Sequence, residues 1–169
     1  MLKIAAPLLA LLVLVTAPTA VAQAPVGPAE ALAWRSFQAC IAISKGATLA
    51  KAATEAGYRQ EGDKWLAVAG ERGFMLEIVP FPALPGGKGC VVVVRAPLSD
   101  HQGFAKRLDD WAAKDGFTAL GPRTSPAGGQ MLQFVTEDES RLLVLALFPE
   151  PGSEQQPSRT SLFVGWRGQ

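Results

Sequence analysis

Residues 90–95 (CVVVVR) put four valines in a row, and no other feature limits the fold as much. β-Branched side chains favour extended backbone. Neighbours along a strand point to opposite faces, so an unbroken apolar run suits a central strand buried on both faces. Just upstream, residues 64–70 (KWLAVAG) and 73–80 (GFMLEIVP) flank Glu71-Arg72 and read as a tight hairpin. Between hairpin and valine run lies a loop rich in proline and glycine, residues 81–89 (FPALPGGKG).

Helical spacing surrounds these strands. From Ala29 onward, Trp34, Phe37 and Ile41 fall on one helix face, and Gly46 is placed to stop the helix. Thr48 caps a second short helix with an apolar stripe of Leu49, Ala52, Ala53 and Ala56, ended by Gly57. Tyr58 then starts extended chain. Further on, Ser99 and Gln102 match a capping box. The helix behind it buries Phe104, Leu108, Trp111 and Ala112, and Lys106, Asp110 and Lys114 pair on its outer face. Gly116 ends it and Phe117 enters a strand. Residues 130–136 (QMLQFVT) and 140–148 (SRLLVLALF) flank an acidic turn, a second proline-rich loop spans 149–157, and 161–166 (SLFVGW) closes the series.

Set side by side, residues 29–97 and 98–169 repeat one pattern of helix, apolar hairpin, proline-rich loop and last apolar strand. The expected fold is therefore α+β, a single domain over 29–169 built of two pseudo-duplicated α-β-β-β halves. Short connections favour one antiparallel sheet of about six strands with the helices on one face. In architecture alone this resembles tandem helix-plus-sheet inhibitor and envelope modules, without a family motif.

The N-terminus reads as an export signal. Met1-Leu2-Lys3 supplies a positive start, residues 4–15 (IAAPLLALLVLV) an uncharged apolar run, and Ala20-Val21-Ala22 a small-x-small cleavage site. The strongly apolar part is shorter than the roughly 20 residues of a spanning helix, so cleavage after Ala22 is expected, with no membrane span left. Residues 23–28 (QAPVGP) then form a flexible leader. The whole chain carries 16 Lys+Arg against 15 Asp+Glu, and loss of Lys3 leaves it formally neutral. A neutral chain has no long-range field to draw it to nucleic acid. Export, periplasmic or extracellular, places Cys40 and Cys90 in an oxidising compartment, where the pair reads as a disulfide.

Little in the chain resembles catalytic machinery. His101 stands beside Ser99 and Asp100, but adjacent residues at a helix start cannot form a Ser-His-Asp relay. One histidine and a bridged cysteine pair leave no metal site, and the glycine clusters at 86–89 and 128–129 precede strands, so they are turns and not phosphate loops. No cofactor is implied. Glu137-Asp138-Glu139 reads as an acidic hairpin turn, and Asp109-Asp110 as a solvated helix face. The expected function is a small exported, non-catalytic binding module for a protein or envelope component. Its candidate contacts are Phe81 and Leu84 in the first proline-rich loop and Trp166-Arg167 near the C-terminus. Packing of Trp166 against a helix is the competing reading of that pair. The alternative function is a hydrolase-type enzyme with a site around His101.

Overall fold

The computed structural model describes residues 27–81, 84, 86–95, 101–124, 129–147 and 159–167. The expected signal segment 1–22 and most of the expected leader lie outside them. Three helices, α1 (Pro28–Ser44), α2 (Leu49–Ala56) and α3 (His101–Lys114), accompany eight strands. The strands are β1 (Arg59–Glu61), β2 (Lys64–Ala69), β3 (Arg72–Pro80), β4 (Lys88–Arg95), β5 (Phe117–Thr124), β6 (Gln130–Thr136), β7 (Arg141–Leu147) and β8 (Arg159–Trp166). They form one antiparallel sheet in the order β1-β2-β3-β4-β8-β7-β6-β5. The last strand of each run thus lies at the centre, β4 beside β8.

The fold is α+β with an antiparallel sheet, as expected, but the sheet has eight strands where about six were expected. The two beyond that count are the edge strands β1 and β5, which follow the extended chain expected after Tyr58 and the strand entry expected at Phe117 but lack a clean apolar alternation. β1 is three exposed residues, RQE. β5 is interrupted by Gly121, at φ +82°, next to Pro122, and its register with β6 shifts between Ala119 and Gly121. Pro in a strand is confined to edges and bulges because it cannot donate to the ladder.

Local chemistry sets the helix ends. Pro28, the last residue of the expected leader, instead opens α1, where its missing N–H costs nothing. The Thr48 hydroxyl accepts from the Lys51 amide at 3.4 Å, and Gly57 closes α2 in the left-handed region. The hairpin between β2 and β3 turns on Gly70-Glu71, because Ala69 pairs with Arg72, so Arg72 belongs to the strand. Gly70 at φ +63° supplies the first position of a tight primed turn. Ser99 of the expected capping box lies outside the described residues.

The core sits between the helices and one face of the sheet. Phe74 and Leu76 on β3, Val92 and Val94 on β4, Leu162 and Val164 on β8, and Leu143 and Leu145 on β7 are all buried there. From the helix side come Leu32, Phe37, Phe104 and Leu108. Ring contacts join α1 to α3: Trp34 meets Phe104 at 5.8 Å and Phe37 meets Trp111 edge-on at 5.0 Å. Cys40 on α1 is bonded to Cys90 on β4, with Cα atoms 5.4 Å apart and a separation of 50 positions in sequence. In the chain-entropy view such a closure stabilises the fold by about 4 kcal/mol.

Candidate functional site

Every strand has two faces, and the described helices cover only one. Alternation therefore turns a second set of side chains outward. On β4 these are Val91 and Val93, half-buried between the fully buried Cys90, Val92 and Val94. The valine run is thus central and apolar on both faces, but its second face meets no described helix. β7 behaves alike: Leu143 and Leu145 point inward, Leu142 and Val144 outward.

Register lines these outward residues into rows. One row runs Leu66–Met75–Val93–Ser161 across β2, β3, β4 and β8, and Met131 on β6 continues it in register. A second joins Glu77, Val91, Phe163, Val144 and Gln133. An antiparallel sheet with one solvated face normally alternates apolar-in and polar-out. Here the outward face is itself mostly apolar, with charges toward its margins: Arg59 and Glu61 on β1, Lys64 on β2, Arg95 on β4 and Arg123 on β5. Val68, also outward, is 75% exposed.

The most particular feature of this face is an aromatic pair laid over glycine. Gly89 on β4 and Gly165 on β8 are direct partners in register. A methyl group on Gly89 would run into the Phe163 ring. One on Gly165 would come within 2.8 Å of both the Phe163 and Phe81 rings. The Phe163 ring therefore rests on bare backbone, and Phe81 packs against it with centroids 4.6 Å apart. Phe81 is held there by its own loop. Its amide donates to the Gly87 carbonyl at 2.9 Å, and the Leu84 amide donates to the Phe81 carbonyl at 3.2 Å. Gly89 is buried beneath the aromatics although no described helix covers this side of the sheet.

Of the residues singled out from sequence, Phe81 and Leu84 are thus brought to this face, both half-buried. Trp166 goes elsewhere. It is 9% exposed, on the helix-covered face opposite Arg141, and is a core group. Arg167 beside it is exposed, and its amide donates to the Ser140 carbonyl at 3.0 Å. His101 is the first residue of α3, and its side chain lies outside the described residues, as do Ser99 and Asp100. Sequence reasoning missed Phe163, Gly89 and Gly165. The signal available for them was a glycine inside the strand pattern SLFVGW, which marks close approach to the backbone.

The charged chemistry lies mostly on the helix side and is structural in form. Asp115 takes Lys45 at 3.6 Å and Arg141 at 3.9 Å, tying the ends of α1 and α3 to β7. Arg141 also lies over the Phe117 ring at 5.2 Å. Arg72 reaches Glu30 at 3.4 Å, and Lys106 binds Asp110 at 2.8 Å. In the acidic turn, hydrogen bonds from the Ser140 hydroxyl and amide hold the Asp138 carboxyl down to a pKa of about 2. Burial pushes the Tyr58 phenol up to about 12, against the opposing effect of the hydrogen bond it shares with the Ser36 hydroxyl.

Among the described residues, hollows open on the helix side. One, of about 240 Å³, lies between α1 and α2 and is lined by Arg35, Gln38 and Glu55 with alanines. Another, of about 310 Å³, lies between α3 and the β5–β6 hairpin, where Lys106 and Asp109 meet Gly121, Pro122 and Leu132. Neither lining contains a Ser, Cys or His. Among the described residues no group of three or more His, Cys, Asp or Glu could hold a metal ion. No described helix is long and apolar enough to cross a membrane. Comparison of the chain with protein-family models, curated proteins and solved structures returns no match.

Proposed function

We propose that this chain is an exported, non-catalytic binding module whose partner, a protein or envelope component, occupies the helix-free face of the sheet. The observation that carries the reading is the apolar character of that face. Covering it would remove Val91, Val93, Val144 and Phe163 from water at roughly 25 cal/mol per Å² of apolar surface. The Phe81–Phe163 pair over Gly89 and Gly165 gives the surface a rigid aromatic centre, the kind of group that dominates binding energy. Export is supported by the signal-like segment 1–22 and accords with the Cys40–Cys90 bond.

The pseudo-duplicated reading belongs to the same proposal. A helix precedes each run of four strands, and the two runs meet through their last members. In this view doubling the unit produced a sheet wide enough to serve as a docking platform.

Site-specific photocrosslinking in cells exporting the protein tests the binding reading. A photoreactive residue in place of Val144, on the helix-free face, is expected to give one discrete crosslinked product. The same residue in place of Ala113, exposed on α3, is expected to give none. Equal yields from both positions, or no product from Val144, would refute the reading.

A further inference from the structure

The geometry points to a second copy of this chain as the occupant of the helix-free face. This rests on the binding reading above and names its partner. Eight strands spaced about 4.8 Å apart, carrying about three rows of outward residues, give a face of roughly 700 Å². Two such faces bury about 1,400 Å², within the roughly 1,200–2,000 Å² of a stable interface.

Composition agrees with a protein-on-protein contact. Aromatic residues, Met and Arg are enriched in interfaces, while Lys, Glu and Asp are depleted from their cores. The face presents Phe81 and Phe163 near its middle, Met75 and Met131 in one row, and Arg59, Arg95 and Arg123 toward its margins. It is not purely apolar, since Glu77, Gln133 and Ser161 sit half-buried in the same rows. Covered by acyl chains, these groups would lose water without gaining hydrogen-bond partners. Covered by another sheet, they can find them. That favours protein over lipid.

Self-association adds one requirement, because a twofold contact lays a patch on itself. A margin of one charge sign would repel its own copy. The margins are mostly basic, Arg59, Lys64, Arg95 and Arg123 against Glu61, so the contact brings the two β1–β2 edges together, where Glu61, in register with Lys64, can meet a basic group of the copy. Two antiparallel sheets packed face to face at about 10 Å would then form a four-layer assembly, with helices outside and sheets within.

Sedimentation velocity on the mature, disulfide-intact protein tests this. The expected result is a species of twice the monomer mass at micromolar concentration, and a monomer for Val144→Asp with unchanged circular dichroism. Met131→Lys, nearer the sheet edge, gives the same reading should Val144→Asp fail to fold. A wild-type protein that stays monomeric at every concentration would overturn the proposal. So would a dimer that survives in either folded variant, because another face would then hold it. A monomeric protein that still crosslinks through Val144 to a different chain would overturn self-association alone and leave the binding module standing.

Discussion

Adding one methyl group at Gly89 tests the aromatic platform with little else disturbed. Gly89 lies in β4, where its backbone suits alanine, so any penalty comes from the Phe163 ring. Forcing an extra methyl into an occupied space costs about 1–3 kcal/mol. Against that, alanine in a strand gains about 0.5–1 kcal/mol over glycine through lower chain entropy. Gly89→Ala should therefore destabilise the wild-type protein by about 1 kcal/mol net. In a Phe163→Ala background the obstacle is gone and only the entropy gain remains, so the same substitution should stabilise. The assay is urea unfolding of all four proteins at one concentration with the disulfide intact. The difference between the two backgrounds measures the steric cost, about 1–3 kcal/mol. If Gly89→Ala has the same effect in both backgrounds, the ring does not rest on that glycine.

Three further outcomes follow from the same physics. Replacing Cys40 and Cys90 together by serine should lower the unfolding free energy by about 4 kcal/mol, and a loss below about 1 kcal/mol would show that the bridge restrains little of the unfolded chain. Tyr58 is the chain's single tyrosine, so its ionisation can be followed by absorbance, with an expected midpoint near 12 in the folded protein. A folded value above the ordinary 10.0 means that this contribution to stability is complete below pH 10 and is lost as pH rises from there toward 12; a midpoint near 10 would contradict the burial. Asp138 runs the other way: its depressed carboxyl stabilises above about pH 4, and the contribution disappears as pH falls from 3.8 toward 2, which carboxyl NMR titration reads directly.

Much of the framework was legible because it depends on short-range chemistry. Thr48 and Gly57 bracket α2 by capping alone, and the valine run marks the sheet's centre by β-branching alone. With only two cysteines in the chain, a bridge could be placed without knowing the fold. The strands that escaped are those whose pairing is decided by neighbours. The entries at Tyr58 and Phe117 could be read, but nothing in Arg59-Gln60-Glu61 marks a paired strand until β2 lies beside it, and Gly121-Pro122 hides the length of β5 behind a bulge. The binding face was half legible. Phe81 and Leu84 could be named as loop residues, but Phe163 meets Gly89 from 74 positions away. Trp166 illustrates the converse, since a tryptophan near a terminus has no local signal telling core from surface, and here the strand's alternation turns it to the helices.

The claim that a second copy of the chain occupies the second face of the sheet can be tested through that face's own methionines. Met75 and Met131 lie in one row of that face, half-buried in the single chain. Peroxide oxidation of the mature protein, followed by peptide mass spectrometry, reports their access to solvent. The account predicts that both methionines become protected together as concentration rises, and that Val144→Asp abolishes the protection. Oxidation rates that are independent of concentration, with equal access in wild type and variant, would contradict it.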